Sequence, residues 1–327
     1  MPSSIPMASE PKEVKALPAR QVAQVEPQPE KRRWLIDDLW LASGVGILGG
    51  QPKVCKTYLA AEIAAAVASG GSVLERHARD PGPVLFFGAE DSLPALRERF
   101  AGLAAVHDLQ LDSLPIYLID VPVLRLDREQ DLLRLRLTVE KYTPRLLVLD
   151  PFVRLARVDE NSAADVSAVL ASLRAIQRDY DVAVLLVHHA RKSPAAHPNQ
   201  ALRGSSDFAA WSDSNLYLMR RQHRLTLFVE HRSAPSPELP FHLRLQADPA
   251  PHLVLSDETP VSTSTIGPLH HTILEHLTRS ATPLSTTQLR ELLRKRKADV
   301  VRALHDLRAR ELVERNLDGW ILLNSTG

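Results

Sequence analysis

The sequence predicts an α/β chain, with a mostly parallel central sheet followed by a small C-terminal winged helix-turn-helix domain. Three observations carry this reading. From Trp34 onward, short apolar runs alternate with longer amphipathic stretches. A glycine-containing turn, Gly49 to Thr57, joins the first run to the first long stretch. Residues 268–327 read helix, helix, helix and hairpin.

The elements follow in order. Residues 1–33 hold six of the 24 prolines and six basic residues, with no hydrophobic period. They are expected to form a disordered tail ending in Lys31-Arg32-Arg33. The runs Val45–Leu48, Val84–Phe87, Ile116–Ile119, Leu146–Leu149 and Val182–Val187 are bounded by breakers. Runs of this length, rich in Val, Ile, Leu and Phe, suit strands buried on both faces of a parallel sheet. Between them, Thr57–Ser69, Leu93–His107, Asp131–Lys141 and Ala164–Asp179 are helix candidates. Strand and helix in alternation predict right-handed crossovers. Asn215–Arg220, Leu225–Glu230 and Phe241–Gln246 read as antiparallel strands finishing the sheet. Residues 247–267, rich in Pro, Ser and Thr, read as a linker, placed at 253–267 after a domain over 34–252.

The winged unit spans 268–327. Leu269–Arg279, Ser285–Arg294 and Ala298–Arg310 are its helices. Ser285 and Gln288 have capping-box spacing. Asp318-Gly319, between Leu312-Val313 and Trp320–Leu323, is a hairpin signal. Three helices and a wing make a winged helix-turn-helix.

Composition narrows the function. A chain of 327 residues has room for two domains, and its 44% hydrophobic content supplies a core. The net charge of +1 is silent about nucleic acid, so only local clusters carry information. A single cysteine, Cys55, excludes a disulfide scaffold or a Cys-rich zinc module and suits a reducing, cytoplasmic setting. No apolar run is long enough to predict a membrane span, and no signal-peptide pattern opens the sequence.

The strongest local signal is Gly49-Gly50-Gln51-Pro52-Lys53-Val54-Cys55-Lys56-Thr57. It follows a predicted strand and opens a predicted helix, the context of a phosphate-binding loop. Backbone N–H groups of such a loop point at phosphates, and the helix N-terminus adds its positive dipole end. Lys56 is expected to reach the β- and γ-phosphates of ATP, and the Thr57 hydroxyl to hold Mg²⁺. The nucleotide-binding set is Gly50, Gln51, Pro52, Lys53, Val54, Cys55, Lys56, Thr57, Tyr58 and Asp150. Cys55 stands where the pattern has glycine, which leaves open a loop of weakened binding. A helix N-terminus also lowers thiol pKa, so Cys55 is a candidate redox-sensitive thiol.

Further strand ends supply the other parts. Leu146–Leu149 ends in Asp150, the Walker B form, expected to orient Mg²⁺ through water. Val84–Phe87 runs into Gly88-Ala89-Glu90-Asp91-Ser92, with Glu90 as general base and Asp91 starting or capping the next helix. Val184–Val187 runs into His188 and His189, either of which is placed to sense the γ-phosphate. The paired histidines lack a third ligand at helical or hairpin spacing, which argues against a metal site of their own.

Gly50–Thr57, Gly88–Ser92, Leu146–Phe152 with Asp159-Glu160-Asn161, Val187–Lys192 and Arg203-Gly204-Ser205-Ser206 together resemble the RecA/DnaB superfamily. Within it they resemble the RepA-type hexameric ATPases of plasmids and mobile elements. The resemblance covers Trp34 to about Leu245. It implies a RecA-like core, a homo-hexameric ring with ATP between subunits, and an arginine finger supplied in trans. Arg232 matches the finger, with Glu230 replacing the usual upstream basic residue; Arg203 is a second candidate. It also implies that the loops Arg154–Asp165 and Arg191–Gly204 face a pore and contact single-stranded DNA. Arg154, Arg157, Arg191, Lys192 and Arg203 would neutralise its phosphates.

In the C-terminal unit, Arg290, Arg294, Lys295, Arg296 and Lys297 are expected in the turn before the third helix, which carries Arg302, His305 and Arg308. This suits duplex DNA, with Arg294, Lys295, Arg296, Lys297 and Arg302 as contacts. A winged helix used for protein contacts or ring assembly is the plainer reading. The function expected is a ring motor acting on DNA, a RepA-like replicative helicase. Alternatives are a RadA- or KaiC-like ATPase without unwinding, or a nucleotide-gated DNA-binding regulator with a weakened loop.

Overall fold

The computed structural model describes residues 19–26, 33–156, 163–189, 206–221, 224–237, 239–256, 267–280, 282–309, 312–316 and 319–322. The chain divides into two compact units, Met1–Ser256 and Asp257–Gly327. Most of the expected tail, with Arg191, Lys192, Arg203 and Asp159-Glu160-Asn161, lies outside the described residues.

The first unit opens with a hairpin of β1 (Trp34–Ile36) and β2 (Trp40–Leu41). Then come β3 (Val45–Gly50), α1 (Lys56–Ser69), a second small hairpin of β4 (Ser72–Val73) and β5 (Arg76–His77), and β6 (Val84–Gly88). Next are α2 (Leu93–Val106), β7 (Ile116–Leu118), α3 (Glu129–Tyr142), β8 (Leu146–Asp150), α4 (Ala163–Tyr180) and β9 (Ala183–His189). A short helix α5 (Ser206–Trp211) leads into β10 (Ser214–Arg221), β11 (Arg224–His231), β12 (Phe241–Gln246) and β13 (His252–Leu255).

The nine-stranded sheet has the order β13-β12-β11-β10-β3-β9-β8-β6-β7. Strands β10, β3, β9, β8, β6 and β7 run parallel, and β11, β12 and β13 extend the sheet antiparallel. Two expectations are corrected here. Ser214–Arg221 is parallel to Val45–Gly50, because α5 brings the chain back to the N-terminal edge before the strand starts. His252–Leu255 pairs with β12, so the sheet runs into the segment expected as linker.

Helix α1 packs in one apolar cluster with α2 and one sheet face; the side chains of α3, α4 and Phe208 form a second cluster on the other face. The alanines of α1 let it lie close to the sheet, and Leu59 to Ala68 are all buried. Gly46 and Gly50 are required for strand packing. A Cβ on Gly46 would stand 1.8 Å from the Ser214 carbonyl oxygen, and one on Gly50 2.3 Å from that of Leu218. Glycine at these two places in β3 lets β10 approach closely enough to pair.

The second unit contains α6 (Pro268–Arg279), α7 (Thr286–Leu293), α8 (Lys297–Ala309) and the wing strands β14 (Val313–Arg315) and β15 (Trp320–Leu322). Its core is built on Ile273, Leu289, Val300, Leu304, Leu307, Val313 and Trp320. The capping box forms as expected: Gln288 N–H donates to Ser285 Oγ at 3.2 Å, and Ser285 N–H to Gln288 Oε1 at 2.8 Å. This unit is a winged helix. Among the described residues, no helix of either unit is long and apolar enough to cross a membrane.

Candidate nucleotide-binding site

The parallel strands end on one edge of the sheet, and the loops there converge. Pairing places Gly50 opposite His189 and Gly88 opposite Asp150. The Ala89 N–H donates to the Asp150 carbonyl at 2.8 Å, so Glu90 emerges beside the Walker B strand. In a parallel α/β sheet this C-terminal edge is where ligands bind.

The loop after β3 leads through Cys55 into α1. Cys55 adopts the left-handed conformation, φ 68° and ψ 25°, that glycine adopts freely. For another residue this conformation costs about 1–3 kcal/mol, which the packed strand and helix on either side impose. Burial raises the thiol pKa, even with Arg220 and Lys56 opposing it. The expectation of an activated thiol is therefore corrected: desolvation outweighs the cations near it.

Lys56 is buried, and its Nζ donates to the carbonyls of Gly50 at 3.0 Å and Gln51 at 2.8 Å. Burial brings its pKa down to about 8, opposed by Asp150 and Glu90. The ammonium thus rests on its own loop. The Thr57 hydroxyl donates to the buried Asp150 carboxylate, whose pKa burial lifts to about 6. A hydroxyl and a carboxylate, both hard oxygen donors in contact, fit Mg²⁺. Val54 is buried, whereas Gln51, Pro52 and Lys53 are exposed on the outer turn, with Lys53 also left-handed at φ 64°. Tyr58 is covered by the Arg99 guanidinium at 4.7 Å from its ring.

Glu90 is half exposed, with Arg154 Nε 3.5 Å from Oε1 and His189 Nε2 3.9 Å from Oε2. Asp91 does not cap the next helix. It pairs with Arg99 at 2.6 Å, and the cap is Ser92, whose Oγ accepts from Ala95 N–H. The two histidines separate because neighbouring strand residues face opposite ways. His189 joins Glu90 and feels Lys56. His188 stacks 4.4 Å from Phe208 and 6.0 Å from Phe152, in the apolar layer on the opposite face.

Arg232 follows β11, where His231 pairs with Ser214 and Ser214 with Gly46. It lies at the sheet edge opposite the phosphate loop, donating to the Ala210 carbonyl and standing 3.9 Å from Asp213. It is thus out of reach of its own chain's loop. Sequence reasoning missed Arg220. With Leu218 opposite Gly50, Arg220 extends past the loop and donates to Cys55 Sγ at 3.5 Å. Only the pairing of β10 with β3, far apart in sequence, reveals this neighbour.

In the winged unit, Arg290 belongs to α7, Arg294 caps it in the left-handed conformation, and Lys297 opens α8. Only Lys295 and Arg296 lie in the turn itself, which corrects the expected placement. Arg294, Lys295, Arg296, Lys297 and Arg302 are all exposed and have no carboxylate within ion-pair distance among the described residues.

The family described as AAA domain matches residues 10–195, more than half of the chain. The chain belongs to the AAA domain family. In this AAA domain protein, residues 264–319 also match the MarR family. A DnaB-like replicative helicase, solved with its primase interactions, is similar with a TM-score of 0.50 at 16% identity, covering 63% of this chain. The match spans 56% of that helicase's own length. A KaiC-like protein from the archaeon Pyrococcus horikoshii OT3 has a TM-score of 0.49 at 15% identity, covering 68% of this chain and 93% of its own. A RadB recombinase has 0.47 at 18% identity, covering 63% and 88%. The AAA domain protein therefore combines a core of RecA-like fold with a MarR-type winged helix.

Proposed function

We propose that this protein hydrolyses ATP as a DNA-binding ring motor, in the manner of a RepA-type replicative helicase of a plasmid or mobile element. The observation that carries the reading is the convergence of Lys56, Thr57, Asp150, Glu90 and His189 at one sheet edge. Loop N–H groups and Lys56 would bind the phosphates. Thr57 and Asp150 would hold Mg²⁺, which neutralises phosphate charge when bound. Glu90 takes the proton of a water whose oxygen attacks the γ-phosphorus. ADP leaves with the electron pair of the broken P–O bond. His189, not His188, is the sensor that this placement favours. Arg232 would act only on a neighbouring subunit's nucleotide, so hydrolysis would require the ring.

The test is steady-state ATP hydrolysis with Mg²⁺, with and without single-stranded DNA, followed by strand displacement. A Glu90→Gln variant is expected to lose about 10²–10⁴-fold in turnover, the contribution of a positioned general base. Turnover unchanged in that variant removes Glu90 from the mechanism. ATPase activity stimulated by DNA without strand separation would favour a switch or recombination mediator over a helicase.

The winged helix supports duplex binding through its unpaired cations. Replacing Arg294, Lys295, Arg296 and Lys297 together with alanine is expected to weaken duplex binding at low salt. The slope of log affinity against log salt should fall by about 0.9 for each phosphate no longer neutralised. An unchanged slope would assign this unit to protein contacts.

A further inference from the structure

The basic turn of the winged unit borders a groove of about 630 Å³. Leu269 and His276 of α6, Leu292 and Leu293 of α7, Lys295 of the turn and Asp299 of α8 line it. Leu293 packs against the core of the unit, whereas Leu292 is 53% exposed. Lys295 is exposed and Asp299 half-buried, and neither has an ion-pair partner among the described residues.

This lining is wrong for a nucleic acid. A phosphate backbone gains nothing from an exposed leucine and is repelled by an aspartate. A protein surface supplies what the groove lacks: apolar area to take Leu292 out of water, a carboxylate for Lys295 and a cation for Asp299. The groove holds that complement itself. It sets a projecting leucine beside an apolar recess, and a cation beside an anion. In a two-fold contact each patch meets its own copy, so whatever one residue contacts, the reciprocal contact forms as well. Lys295 then faces the partner's Asp299, Asp299 faces the partner's Lys295, and each Leu292 enters the recess of the other copy.

We propose that the winged unit pairs with a second copy of itself through this groove, by a two-fold contact built on Leu292, Lys295 and Asp299. The patch is small, so the contact belongs with weak, transient interfaces. It needs neither nucleotide nor hydrolysis and stands apart from the reaction proposed for the other unit. It draws Lys295 into the contact between copies, while Arg294, Arg296 and Lys297 remain for a duplex.

The test uses the full chain without nucleotide. Lys295→Ala and Asp299→Ala chains are co-expressed, purified together and treated with a carbodiimide, which joins an amine to a carboxylate in contact. One kind of chain then carries Lys295 and only the other carries Asp299. A cross-linked peptide joining these two positions comes from two copies, and it is the expected product. Its absence overturns the proposal. Leu292→Ser added to both chains should lower the yield about tenfold, the loss of one buried leucine. Leu292 lies outside the core, so an unchanged melting temperature should accompany that loss. A yield that ignores Leu292→Ser marks a chance encounter and gives the groove to a different partner, which overturns pairing with a second copy. Lys295→Glu chains co-expressed with Asp299→Lys chains make a second pair, opposite in charge only between unlike copies. Their yield should exceed that of the alanine pair by about twofold or more, because like copies now repel. A yield no higher overturns the reciprocal arrangement.

Discussion

Replacing Lys56 with alanine is expected to lower ATP turnover by about 10²–10³-fold, the loss typical of one preorganised charge donor. The ammonium is buried against the Gly50 and Gln51 carbonyls, and burial brings its pKa down to about 8 against the opposing pull of Asp150 and Glu90. That is an unfavourable place for a cation with only neutral oxygens within hydrogen-bond reach. Phosphate oxygens arriving in the loop would supply the missing negative charge, and the interaction would strengthen as charge builds on the γ-phosphate. The same substitution should leave the nucleotide-free protein as stable as wild type, because it removes a desolvated charge rather than a favourable pair. Turnover and thermal unfolding, measured together, check both halves. Turnover within about tenfold of wild type would remove Lys56 from phosphate binding. A lowered melting temperature without nucleotide would make the residue structural.

Glu62 sets the second large expectation, a fall in stability as pH rises toward 8. It is buried in the apolar layer of α1, and its Oε1 accepts the Leu253 N–H of the edge strand β13. Burial pushes its pKa from 4.5 up to about 8, against the favourable backbone hydrogen bond. A carboxyl whose folded pKa is raised stabilises fully below its unfolded pKa. That stability is lost as pH rises to the folded value. The slope is about 1.4 kcal/mol per pH unit for one group. Other groups limit where it is read. His107, His189 and His231 have depressed pKa values, so they lose stability as pH falls below 6.5. Asp150 adds to the Glu62 slope only up to about 6. Lys56, whose pKa is lowered to about 8, opposes it increasingly as pH nears that value. Between neutrality and pH 8, Glu62 therefore dominates. Denaturant unfolding of wild type should show the decline, and Glu62→Gln, which keeps an acceptor for Leu253 N–H, should flatten it. A wild type as stable at pH 8 as at neutrality would mean that the carboxyl is ionised in the fold.

Much of the core was readable from the chain alone because its signals are local. Four buried parallel strands announce themselves as apolar runs, and the helices by their period; β7, expected to be buried too, is half exposed because it ends the sheet. The structure moves their ends by only a few residues. The Ser285–Gln288 capping box is legible for the same reason: both partners lie within one turn. The hairpins β1/β2 and β4/β5 were not, since strands of two or three residues have no period to detect. Strand β13 was hidden in a Pro- and Ser-rich stretch, where its pairing with β12 overrides composition.

By itself the sequence located the Gly49–Thr57 turn, the strand-ending Asp150, the strand-end Glu90 and the winged helix. Each is a short pattern whose chemistry depends on adjacent residues. Tertiary structure alone decided which side chains meet. It put His189 beside Glu90 and turned His188 into the aromatic layer. It laid Arg220 against Cys55 and Arg154 against Glu90, and sent Arg232 to the far edge of the sheet. Those outcomes depend on strand order and register, set by how distant apolar runs bury one another, and no local spacing records them.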